Sequence, residues 1–100
     1  MPVDLVLGED ELRMLKLLFS DGVADTRLMK DHAHYDAMMT LVPQVDQMTP
    51  NTPMQFSVLN VELIAKAVDL GRDKEDSLIF DKSISKDLET IDRVLATLVV

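Results

Sequence analysis

The sequence contains no cysteine and no tryptophan. Without thiols it can build no disulfide, no cysteine zinc site and no thiol nucleophile. Glycine occurs three times, at Gly8, Gly22 and Gly71, too far apart to form a phosphate-cradling loop. Aromatic residues make up 4% of the chain, too few on an acidic background for a base-stacking platform. Positive charge is scarce as well: 10 Lys and Arg against 18 Asp and Glu leave a formal net charge of −8. Nucleic acids and anionic membrane surfaces are held by clustered Lys and Arg, so neither is an expected partner. No run reaches the roughly 20 apolar residues of a membrane-spanning helix. The opening "MPVDLVLGEDE" lacks the basic start and long apolar stretch of a secretory signal, so the expected location is cytoplasmic.

What is present points to a folded chain. Apolar residues are 47% and charged residues 28% of the 100, which suits one domain spanning 1–100. The apolar spacing predicts an all-α fold, a compact bundle of about four helices, with a short extended arm or strand at "PVDLVL". The first helix is expected over 9–19, with Leu12, Leu15, Leu18 and Phe19 on one face. Glu9, Asp10 and Glu11 suit its first turn, and "SDG" is expected to end it with Gly22 as the cap. A second helix is expected from Asp25 to Leu41 or Val42, stopped by Pro43, with Leu28, Tyr35, Met39 and Val42 on its stripe. Residues 43–52 then read as a proline-marked loop.

"TPMQ" reads as a capping box, with Thr52 as cap, Pro53 in the first helical position and Gln55 reaching back. It would start a third helix running to Leu70 and closed by Gly71. Phe56, Leu59, Leu63, Ala67 and Leu70 form the expected main face, widened by Val61, Ile64 and Val68. A helix that apolar should be contacted from more than one side. A strand at "QFSVLNV" is the competing reading. "RDKED" reads as a charged connection, and "SLIF" as either a helical turn or an extended piece. Ser85 is the expected cap of the last helix, whose stripe is Leu88, Ile91, Leu95, Leu98 and Val99.

The stretch "KDHAHYDAMM" holds both histidines and comes nearest to chemistry. On a strand, His32 and His34 would share a face and could bind one metal; on a helix they diverge by about 200°. The helical pattern pairs His32 with Asp36, four residues apart, at the edge of the apolar stripe. Asp31 and His34 form a second, weaker pair, with His34 in solvent. His32 and Asp36 supply only two metal ligands, where a catalytic zinc site uses three. "SISK", 83–86, has the Ser-x-x-Lys spacing of serine acyl-transfer enzymes, but the Ser-Asp-Asn and Lys-Thr-Gly partners are absent. No cofactor is implied.

The remaining signals concern contact. Met38, Met39, Met48 and Met54 bracket the proline loop; methionines fill gaps in a core short of large aromatics, and clustered at an exposed loop they also suit an adaptable partner-binding surface. Leu98, Val99 and Val100 end the chain in an apolar run that would be wasted in solvent: either they dock on this domain's own core or they pack against another copy, and in the second case Leu95, Leu98 and Val99 are the expected face of a homodimer. The sequence therefore favours a small acidic non-enzymatic protein-binding module: a regulator, adaptor, small chaperone or inhibitor. Its net charge serves solubility in the plainer reading and makes a basic partner protein the natural complement in the other. The alternatives are a metal-binding protein or metal-dependent enzyme using His32 and Asp36, and a structural subunit of a larger assembly.

Overall fold

The computed structural model describes residues 2–74 and 82–99, with side chains described for 2–72 and 86–98. Its elements are β1 (Pro2–Leu5), α1 (Glu9–Leu28), α2 (His32–Gln47), β2 (Met54–Ser57), α3 (Val58–Lys74) and α4 (Lys82–Val99). The expected all-α bundle of four helices is what forms, with a short strand pair added. Buried side chains from the four helices and both strands make one core, including Leu5, Leu15, Met38, Phe56, Ile64 and Ile91.

The strands are antiparallel, with Val3 opposite Phe56 and Leu5 opposite Met54. Residues opposite one another share a face, so these four point inward while Pro2, Asp4, Gln55 and Ser57 are exposed. This pairing overturns the capping-box reading of Thr52 to Gln55. The strand alternative holds only for 55–57, the strand itself starting one residue earlier at Met54, and Ser57 is the cap of α3, its Oγ accepting from Asn60 N–H at 3.2 Å. A local signal lost to a partner strand fifty residues away, which sequence spacing does not reveal.

The first helix runs well past "SDG". α1 has 20 residues, roughly 30 Å, and neither Gly22 nor any other glycine has a positive φ. Gly22 serves close approach instead: a Cβ there would lie 1.9 Å from the carbonyl oxygen of Ala67 on α3. Gly71, expected to close the third helix, lies inside α3 and does the same from the other side, its Cβ position 2.1 Å from Leu18 O. The two contacts run antiparallel, Leu18 on Gly71 and Gly22 on Ala67, and α1 with α3 forms the most extensive helix contact.

α1 ends six residues after Gly22. Asp31 N–H donates to Thr26 O at 2.9 Å and Lys30 N–H to Arg27 O at 3.2 Å. With Lys30 at φ 57°, this is a Schellman motif with lysine in the left-handed position that glycine usually takes. Asp25 is therefore interior to α1, and α2 begins after Asp31, not at Asp25.

α2 also continues through the proline expected to stop it. Pro43 cannot donate to the carbonyl of Met39, which costs the helix a bond. The inner face of α2 carries on beyond it: Met38, Leu41, Val45 and Met48 are all buried at helical spacing. Burial of Val45 and Met48 offsets the lost bond. Lys16 supplies the far end, its Nζ donating to the carbonyls of Met48 at 2.8 Å and Asp46 at 3.1 Å. A cation from α1 thus meets the negative end of α2. The loop shrinks to 48–53, pinned by Asn51 N–H donating to Leu7 O at 2.8 Å.

On α3 the expected face is rotated. Val61, Ile64, Ala67 and Val68 are the buried residues, Leu63 and Leu70 are half-buried, and Leu59 is 71% exposed. The expectation that this helix is touched from several sides holds, as α3 meets α1, α2 and α4. α4 keeps its expected stripe, with Leu88, Ile91 and Leu95 buried and Leu98 half-buried. It begins at Lys82, so Ser85 lies within the helix and is not its cap. Arg72 of α3 and Asp92 of α4 form an ion pair at 2.6 Å. Of "RDKED", residues 72–74 belong to α3; "SLIF" and Val100 lie outside the described residues.

Candidate functional site

The antiparallel register of α1 on α3 brings the end of α1 level with the start of α3, and α2 starts at the same place. The "KDHAH" stretch is the corner where these three helices meet. Asp31 is its pivot. It accepts from His34 N–H at 3.4 Å, as the cap of α2, and from His34 Nδ1 at 2.7 Å. The hydrogen bond from the His34 ring holds the Asp31 carboxyl below its ordinary range against some desolvation, with Lys66 adding a smaller effect in the same direction.

This reverses the expected roles of the histidines. His34 is half-buried and paired, whereas His32 is exposed. No hydrogen bond or ion pair joins His32 to Asp36 among the described residues, and Asp36 is exposed too. The pair on record is the one expected to be weaker, Asp31 with His34, because Asp31 precedes the helix and can turn back to cap it. Among the described residues no group of three His, Asp or Glu side chains is placed to hold a metal ion.

The pairing gives a pH prediction. A depressed folded carboxylate value stabilises the fold fully above the unfolded value, and that contribution is lost as pH falls through the lowered folded value. His34→Ala should therefore move the Asp31 titration upward, followed by carboxyl-carbon NMR. An Asp31 titration unchanged in that variant would count against the pairing.

The four methionines do not form one surface. Met38 and Met48 are buried in the core, Met54 is half-buried under the strand pair, and Met39 alone is exposed, at 42%. Of the expected dimer face, Leu95 is buried within the domain and Leu98 packs on its core; the Val99 side chain lies outside the described residues. A domain this short on aromatics uses its methionines and its final helix to fill its own interior.

The most exposed large apolar side chains among the described residues lie elsewhere, and sequence reasoning missed them; Val6 and Leu17 are exposed to a lesser degree. Leu28 is 69% exposed, Met29 74% and Leu59 71%. Met29 follows Gly22 by seven residues and so stands on the side of α1 that faces α3. Leu59 and Leu63 line a surface groove with His34, Glu62 and Lys66. The available signal was Leu28 and Met29 flanked by Arg27 and Lys30, an apolar pair between two cations where a helix ends.

A second crevice lies near the start of α1, lined by Asp10, Glu11, Arg13, Met14, Lys86 and Asp87. Burial, followed by the charges of Glu11 and Asp10, pushes the Asp87 carboxyl up. Arg13, paired with Asp10, and Lys86 offset part of that negative charge.

No family model matches this chain, and neither a curated protein nor a solved structure matches it. No helix among the described residues is long and apolar enough to cross a membrane.

Proposed function

We propose that this chain is a small cytoplasmic protein-binding module, non-enzymatic, and that it binds through the corner of α1, α2 and α3. The observation that carries the reading is the placement of Met29 and Leu59, each more than 70% exposed, at one end of a domain whose core is already filled. Scattered exposed leucines are ordinary, but exposed apolar residues at one helix corner beside an apolar-floored groove resemble the core of a contact patch. The proposed surface accordingly moves from the proline loop to this corner, with Met39 on the adjoining helix. A regulator, adaptor, small chaperone or inhibitor would all use such a surface. Self-association remains a separate proposal, as expected from the apolar faces of so short a chain.

The test is site-specific photo-cross-linking in cells, with the reactive side chain placed at 29, at 59, or at the exposed control position Gln55. A discrete protein adduct from 29 and 59 but not from 55 is the expected result. Equal labelling at all three positions, or no adduct from 29 and 59, would overturn the reading. Light scattering over rising concentration tests self-association; a species of only 11.2 kDa throughout would remove it.

A further inference from the structure

We propose that the outer edge of β1, with the groove between it and α4, takes up an extended apolar segment of another protein as a third strand. This surface lies by the start of α1, away from the corner of α1, α2 and α3, and the two stand or fall independently.

The open backbone of β1 carries the inference. β1 pairs with β2 along one edge only, and the sheet has no further strand among the described residues. No hydrogen bond outside that pair reaches the backbone of residues 2–6 among the described residues. In an antiparallel pair, alternate residues turn their N–H and C=O groups to the partner and the others turn them away. Pro2 has no N–H and fits a position that faces away. By alternation Asp4 and Val6 face away with it, so the edge offers Pro2 C=O, Asp4 N–H and C=O, and Val6 N–H. An extended chain is what satisfies donors and acceptors repeating every second residue.

The side chains beside this edge favour an apolar strand. α4 packs against β1, and Asp4 and Val6 line a groove with Arg93, Val94, Thr97 and Leu98. Val6 is 42% exposed although it adjoins the buried Leu5 and Leu7, and Val94 and Leu98 are half-buried against the core. A strand laid along β1 sets every second side chain towards Val6, Val94 and Leu98. Charge does not choose the occupant, because the groove holds one carboxylate, Asp4, and one cation, Arg93, itself paired with Glu89 at 3.8 Å. A second copy of β1 is the poorer occupant: two-fold pairing centred on the outward residues 2, 4 and 6 sets Asp4 directly against Asp4. A strand from another protein, with an uncharged residue at that place, meets no such repulsion.

Two-dimensional NMR on the full chain tests this with a short peptide of alternating Val and Thr. Two further versions carry N-methyl groups on the odd or on the even residues, which removes the donors along one edge and leaves the side chains. The parent peptide should shift the amide signals of residues 2–6 and 93–98 and slow hydrogen exchange at the Asp4 and Val6 amides. One N-methyl version should bind at least about tenfold more weakly, and the other should bind like the parent. Val6→Glu should weaken the parent peptide, with circular dichroism unchanged because Val6 is exposed. No binding, equal binding of the two N-methyl versions, or shifts without slowed exchange at Asp4 and Val6 would overturn the proposal. So would exchange at these amides that slows with protein concentration alone, which puts a second copy on the edge. None of these outcomes touches the cross-links expected at 29 and 59, so this surface and the corner are tested apart.

Discussion

Gly22→Ala is expected to lower stability by about 3 kcal/mol, although it places a better helix former in mid-helix. The added methyl carbon would stand 1.9 Å from Ala67 O and 2.5 Å from its carbonyl carbon. Both belong to the backbone of α3, so no side-chain rotation can relieve the contact. Only separation of α1 from α3 can, and that loosens the packing of Leu18, Ile64 and Val68 between them. In a domain of this size the loss corresponds to a melting temperature lower by roughly 12–24 °C. Gly71→Ala should behave alike, because its methyl would meet Leu18 O at 2.1 Å. The double variant should cost less than the sum, since one separation of the helices relieves both clashes. Gly8→Ala is the control: its methyl would meet only the carboxylate end of Glu11, which can swing away. A Gly22→Ala melting temperature within a few degrees of the parent would show that the helices do not approach this closely.

The second large effect separates two adjacent methionines. Met38→Ala should cost about 2–5 kcal/mol, as it empties a side-chain volume that is fully buried. Met39→Ala should change stability by no more than about 0.5 kcal/mol, because Met39 is 42% exposed. Urea unfolding reads both: the midpoint should fall sharply for Met38→Ala at similar slope and stay in place for Met39→Ala. Equal midpoints would mean that the inner face of α2 is misassigned. Met48→Ala should resemble Met38→Ala. Binding lost in a Met38 or Met48 variant would therefore report unfolding, whereas Leu59→Ala probes the surface alone.

The fold class was legible because it depends on periodicity. The stripe of Leu88, Ile91 and Leu95 and the start of α1 at Glu9 came directly from spacing. Helix ends were less legible. Gly22 and Pro43 are strong local punctuation, yet both lie inside helices. In each case the local signal was outweighed by contacts between segments distant in sequence. For Gly22 that contact is the backbone of α3, and for Pro43 it is the burial of Val45 and Met48 with Lys16 at the helix end. The candidate site was less legible still. Leu28 and Leu59 were expected on core stripes, and each turned outward once the true inner face of its helix was set by a neighbour.

By itself, the sequence determined that this is a cysteine-free, acidic, helical domain, because composition and apolar period are properties of the chain alone. The tertiary structure decided where α1 and α2 end, which side of α3 is inside, and that Asp31 bonds His34. It also decided that Leu28, Met29 and Leu59, each expected or available for a core stripe or helix end, are the most exposed large apolar side chains among the described residues. Those outcomes depend on which segments meet, and a contact between residues 22 and 67 leaves no mark in the spacing around either.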